Sequence, residues 1–259
     1  MNIRNSARAW LWPFLLVLAG LLIYCSGLLN EDIFGTDAVR IAMDGAYFHD
    51  LFKDAPIFNL YDYTIHYYAR YPAISVGFRE PLFQAILGIL YHIFGISMFT
   101  AKLGVVMFAA IGIAFFYKLV ESIYDERAAV LSTFLFITAP FIVRLTRIPM
   151  LEIPALAMSI ATIYYFYRYV ELKEDRSLGL FFILFAITLW TKRLNCYIFL
   201  FCALYLTLTG GWKSFIKKEV LLWFALFILL VAPLAAISVW LGAPTIAKVI
   251  PVVKTMAPA

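Results

Sequence analysis

One interval of this chain carries the residue types for acid–base and anion-binding chemistry. Residues 30–81 hold Glu31, Asp32, Asp37, Arg40, Asp44, Asp50, Asp54, Asp62, Arg70, Arg79 and Glu80, interleaved with Tyr47, Tyr61, Tyr63, Tyr67, Tyr68 and Tyr71. A carboxylate here could take the proton of an attacking hydroxyl, and a guanidinium could hold a phosphate through charge-assisted hydrogen bonds. Two shorter clusters add to the set: Arg144, Arg147 and Glu152 in one turn, and Thr191, Lys192, Arg193 and Asn195 in another. Everything else in the chain has the task of bringing these three clusters to one place.

The elements that must do so are membrane helices. Hydrophobic residues make up 64% of the chain and charged residues 14%, with a mean hydropathy of +0.89. A soluble domain is nearer ~45–50% apolar. Several apolar runs approach the ~17–25 residues that cross hydrocarbon as a helix, and continuous runs of this kind are not alternating barrel strands. The expected fold class is membrane all-α. The net charge of +5 comes from basic residues scattered among short loops, where they orient the chain, so a nucleic-acid partner is excluded. Cys25, Cys196 and Cys202 lie inside apolar runs and read as packing residues, with no disulfide framework implied.

In chain order, Arg4 and Arg8 precede the first span, 9–29, which reads as a retained signal anchor closed by Asn30, Glu31 and Asp32. With that positive end cytoplasmic, the loop 30–97 faces outward. Within it, Thr36 or Asp37 can cap an interfacial helix reaching about Phe52. Ile41, Ala42, Gly45 and Phe48 form its apolar stripe, and Asp37, Arg40 and Asp44 its polar face. The run 82–94 is short for a span, and taking it as interfacial or re-entrant puts the basic loops 124–127, 171–176 and 211–218 in the cytoplasm. Spans then follow at 98–120, 128–143, 153–170, 178–190, 194–210 and 220–240, giving about seven crossings. The chain ends at Ala259 after Lys248, Lys254 and several prolines, as a module cut short would.

This topology gathers the three polar clusters on the outer face. Asp37 is the sharpest acid, either a general base or an N-cap that only satisfies backbone donors. Arg144, Arg147, Lys192 and Arg193 break the positive-inside rule; each could snorkel, or together they could bind a lipid phosphate. Glu152, between Pro149 and Pro154, could pair with Arg147 or orient substrate. Arg79 and Glu80 stand before Pro81 at the mouth of the short helix. His49, His66 and His92 have no metal-ligand spacing, and His92 reads as packed. The tyrosine run 61–71 suits a headgroup belt first and a sugar-stacking surface second.

The order of these pieces resembles the polytopic glycosyltransferases of the GT-C type, in the branch of protein O-mannosyltransferases and lipid A aminoarabinose transferases. The resemblance rests on Gly35, Thr36, Asp37, Arg40 and Ala42 after the first span, on Phe78, Arg79, Glu80 and Pro81 before a short helix ending in Phe94 and Gly95, on Ala128 and Ala129, on Met150, Leu151, Glu152, Ile153 and Pro154, and on Thr191 with Lys192. It implies the N-terminal module of a plasma-membrane enzyme whose active site is on the outer face. Such an enzyme moves a sugar from a polyprenyl-phosphate donor to a lipid, glycan or protein hydroxyl with inversion. Asp37 would be its base; Arg79, Glu80, Arg147, Glu152 and Lys192 would bind the donor or its neighbourhood. A divalent metal could sit between carboxylates and phosphate. The chain departs from the family in Ala38, in the order Arg79 then Glu80, in Glu152 where Asp is usual, and in Arg193 where glycine is common. A transporter or flippase, or a non-catalytic partner module, is the alternative.

Overall fold

The computed structural model describes residues 3–29 and 35–241, with backbone alone at 3–10, 36, 213, 214, 240 and 241. The expected roles of Asn30, Glu31, Asp32, Lys248 and Lys254, of the chain end at Ala259, and of the Arg4 and Arg8 side chains lie outside what is described. The described chain is all-α: α1 (Ile3–Cys25), α2 (Thr36–Asp54), α3 (Leu60–Arg70), α4 (Leu82–Phe94), α5 (Met98–Ile123), α6 (Glu126–Thr138), α7 (Pro140–Thr146), α8 (Glu152–Val170), α9 (Asp175–Thr191), α10 (Tyr197–Thr209) and α11 (Lys218–Leu241). Short 3-10 turns at Arg193–Cys196 and Gly211–Ser214 flank α10. No strand forms among the described residues beyond an isolated bridge between Val76 and Arg79.

The count of about seven crossings is not confirmed by the described helices. Among the described residues, α5 and the 218–239 part of α11 are long and apolar enough to span, and α6 with α7 would add a third. Leu11–Cys25, Leu82–Phe94 and Arg193–Thr209 are shorter apolar helices. The run read as one span over 128–143 breaks at Ala139, where α6 and α7 meet at 58°. Pro140 is the cause: it cannot continue the α-helical ladder, and it forces Ala139 into an extended conformation (φ −58, ψ 122).

Helices α1, α5, α6 and α8 share a core of Tyr24, Val105, Ile113, Ile137, Ala157 and Met158. A second core, dominated by the rings of Phe166, Phe181, Phe182, Phe185 and Phe227, joins α8, α9 and α11. Many large apolar side chains face outward, Leu22, Leu131, Leu200 and Leu221 among them. That inversion of the soluble pattern suits a hydrocarbon surrounding.

Helix α2 leans on α4, which in turn packs on α5. The α2–α4 crossing is close because both helices place glycine there. A Cβ on Gly88 would come within 2.9 Å of the His49 backbone, and one on Gly45 within 2.8 Å of the Tyr91 ring. Only residues without a side chain allow that approach, and it fixes α2 over the end of the bundle where the polar clusters gather. The aromatic run is itself helical. α3 packs Tyr68 against Tyr47, Ile74 and Val76, while Tyr63 and Tyr67 donate to Asp54 and Asp50 of α2 at 2.9 and 2.8 Å. These two carboxylates and the tyrosine ladder line an open cleft of about 520 Å³ with His66 and Arg70.

Candidate active site

Asp37 stands in the first turn of α2 but does not cap it. The N-cap is Gly35, at φ +89, and it makes no side-chain capping bond. The Asp37 carboxylate turns instead to Arg79, whose Nη2 donates to Oδ1 at 2.7 Å across 42 residues of sequence. The Asp37 side chain remains 49% exposed, open to an incoming hydroxyl.

Two more ion pairs continue from this one. Glu80, adjacent to Arg79 and only 7% exposed, accepts from Arg193 Nε, and the same guanidinium donates to the Phe78 carbonyl and to Ser238 Oγ of α11 at 3.2 Å. Lys192, adjacent to Arg193, donates to Glu152 Oε1 at the start of α8 at 3.0 Å. Asp37–Arg79, Glu80–Arg193 and Lys192–Glu152 thus form one chain of three ion pairs, linked by the peptide neighbours Arg79–Glu80 and Lys192–Arg193 and drawn from α2, the segment before α4, the start of α8 and the turn after α9. The α9 helix ends at Thr191, leaving Lys192 extended (φ −159, ψ 116) before the 3-10 turn. That extension sends Lys192 and Arg193 to different acids. Glu152 Oε2 is buried without a hydrogen-bond partner, a free acceptor facing the protein interior.

Arg147 is not joined to this chain. The expected pairing of Glu152 with Arg147 is replaced by the pairing with Lys192, because Arg147 lies over the turn after α1. Its Nη2 donates to Ser26 Oγ at 3.2 Å, and its stem covers Gly27, where a Cβ would come within 2.6 Å of it. Its Nε is buried without a partner. Asp44 also departs from expectation: it does not share an exposed polar face with Arg40 but is 1% exposed. It accepts from the Ser75 amide at 2.6 Å and from the Ser75 hydroxyl. Burial pushes its carboxyl up to about 6, against the opposing pull of the Ser75 bonds, Arg79 and Arg40. His92 is exposed and lies 5.7 Å from the His49 ring, since it falls on the outer side of α4. Cys202 is buried as expected, whereas Cys25 and Cys196 are exposed on their helices.

Arg193 is the residue that sequence reasoning undervalued. Its position beside Lys192, as a second cation breaking the positive-inside pattern, was the signal. Among the described residues no group of three or more His, Cys, Asp or Glu is placed to hold a metal ion. Asp37, Glu80 and Glu152 each face their own cation.

A helical fold with an acid at the start of an outlying helix, paired with a cation from a distant segment, is the arrangement expected of a GT-C type module. Residues 79–240 match the family described as dolichyl-phosphate-mannose-protein mannosyltransferase, and the chain belongs to that family. The matched interval contains Arg79, Glu80, Arg147, Glu152 and Lys192 and begins after Asp37. Two crystal structures of ArnT from Cupriavidus metallidurans share the fold. The one bound to undecaprenyl phosphate matches with a TM-score of 0.71 at 15% identity, over 89% of this chain and 42% of ArnT. The apo structure gives the same TM-score and identity over 90% of this chain and 42% of ArnT. The chain thus spans less than half the length of the solved protein it resembles. No curated protein sequence matches it significantly.

Proposed function

We propose that this chain is the N-terminal catalytic module of a plasma-membrane glycosyltransferase that uses a polyprenyl-phosphate sugar. Its acceptor is a hydroxyl on a lipid, glycan or protein at the outer face. The observation that carries this reading is the Asp37–Arg79 contact at 2.7 Å. It sets a half-exposed carboxylate beside a cation in a family whose described activity is mannosyl transfer from dolichyl phosphate, and on a fold that in ArnT holds undecaprenyl phosphate.

In this mechanism the acceptor oxygen attacks the anomeric carbon while Asp37 takes its proton. The bond from that carbon to the phosphate oxygen breaks, and the polyprenyl phosphate leaves with the electron pair. A single displacement inverts the anomeric centre. Arg79 has two tasks: it orients Asp37 in the resting site, and with Lys192 it meets the charge that develops on the leaving phosphate. Arg147, with its unpartnered Nε, is a further donor for that anion. Glu80 and Glu152 hold Arg193 and Lys192 in position between turnovers. No step is routed through a metal.

The test is transfer of labelled sugar from a polyprenyl-phosphate donor in membranes expressing the chain, beside Asp37→Asn. Transfer that disappears in the variant while donor binding persists supports the reading. Undiminished transfer in the variant removes Asp37 as base, and an intact chain that neither binds nor transfers removes the glycosyltransferase reading.

A further inference from the structure

We propose that Asp44 is a positioning residue that fixes the segment carrying Arg79, and thereby sets the cation that meets the donor phosphate. This rests on the reading above, in which Arg79 contacts that phosphate. Asp44 lies seven residues after Asp37, two helical turns on, so both acids point from the same face of α2. Ser75 lies four residues before Arg79. Helix α2 therefore grips one segment at two points, through Asp44 to Ser75 and through Asp37 to Arg79.

The grip is transmitted through the backbone. The Ser75 amide and hydroxyl both donate to Asp44, while the Ser75 carbonyl accepts from the Phe78 and Arg79 amides at 3.0 and 3.1 Å. Gly77, at φ +87, lets the chain turn tightly enough to close that loop. Tyr68 holds the Val76 carbonyl and Arg193 the Phe78 carbonyl. Moving Ser75 would therefore move the peptide of Arg79.

The chemistry of position 44 favours this role over simple packing. Asp44 is almost wholly enclosed, and an enclosed carboxylate is costly to keep. A carboxylate presents one acceptor oxygen to each of the two Ser75 donors, whereas an amide presents one oxygen and an N–H and would have to reverse its bond to the hydroxyl. The groups facing it with charge are Arg79 and Arg40, with Tyr47 close by. Their attraction draws Arg79 toward α2 as well.

The experiment compares wild type, Asp44→Asn, Ser75→Ala and Ser75→Thr in nanodiscs. It reads amide hydrogen exchange over residues 75–80, affinity for undecaprenyl phosphate, and the thermal midpoint at pH 7.5. The role predicts faster exchange and about tenfold weaker affinity in Asp44→Asn and Ser75→Ala, as for one lost charge-assisted contact. Ser75→Thr, which keeps the hydroxyl, restores both, and Asp44→Asn keeps a midpoint at or above wild type. Faster exchange with unchanged affinity overturns the role, as does unchanged exchange. Wild type that fails to bind the lipid phosphate removes the donor reading itself and this role with it, whereas normal wild-type binding with unaffected variants removes the role of Asp44 alone.

Discussion

The two ends of the helical bundle both carry ion pairs, and they use them differently. At one end the C-terminal turns of α5 and α8 meet the start of α9, with Tyr167 donating to the Ser122 carbonyl at 3.2 Å and the Tyr169 ring packed against Phe215 in the segment before α11. There Lys118 pairs with Glu121 three residues away, and Arg168 pairs with Glu174 across a single turn. Among the described residues, the distant pair of Lys217 with Asp175 at 3.6 Å is largely exposed. At the other end, pairs bridge 42, 113 and 40 residues of sequence. A local pair needs no fold to bring its partners together and mostly adjusts a helix end. A pair across a hundred residues forms only after packing is complete, so its geometry belongs to a site.

Breaking the long-range end should be felt in activity. Asp37→Asn is expected to lower transfer by about 10²–10⁴-fold, the range for losing a general base, with the purified protein still folded by circular dichroism. The effect should be absent from any pair at the opposite end.

A pH titration sharpens the contrast next. Asp44 has its carboxyl raised from the ordinary 3.8 to about 6, chiefly by burial. The native state therefore holds its proton more tightly than the unfolded chain does. The stability this proton confers is fully present below about pH 4 and is lost as pH rises through about 6. At ~1.4 kcal/mol per unit the difference is about 3 kcal/mol. Unfolding midpoints of wild type minus Asp44→Asn, followed from pH 4 to 7.5, should fall by that order; a flat difference refutes it.

Arg193→Ala strips Glu80, only 7% exposed in the intact protein, of its cation. The expected loss is about 1–3 kcal/mol in denaturant unfolding, the cost of an unsatisfied buried polar group. The double variant with Glu80→Gln should recover part of it, since the residual charge is then gone. Smallest of all, Lys118→Ala removes one half-buried pair within a helix and should cost about 1 kcal/mol or less with transfer unchanged. A large loss of transfer there would dissolve the distinction between the two ends.

The sequence alone determined that this chain lives in a membrane as helices, because hydrophobic content acts through composition and needs no partner. It also marked most helix bounds closely: 82–94, 153–170 and 220–240 were legible from apolar runs and from Pro81, Pro154 and Gly95 as punctuation. Asp37, Arg79, Glu80, Glu152 and Lys192 stood out as charges beside apolar segments, where solvation is expensive enough to demand a purpose. The tertiary structure decided the pairing. Residue types do not state that Arg79 faces Asp37, that Glu152 takes Lys192 over Arg147, or that Arg193 bridges Glu80 and Ser238. Asp44 was misread for the same reason: a seven-residue spacing fixes the face of a helix, but not whether that face meets water or Ser75. The Asp37 and Asp44 contacts depend on how closely α2 approaches α4 over Gly45 and Gly88. Helix contact distance is a property of two packed surfaces, and one chain read in order carries only one surface at a time.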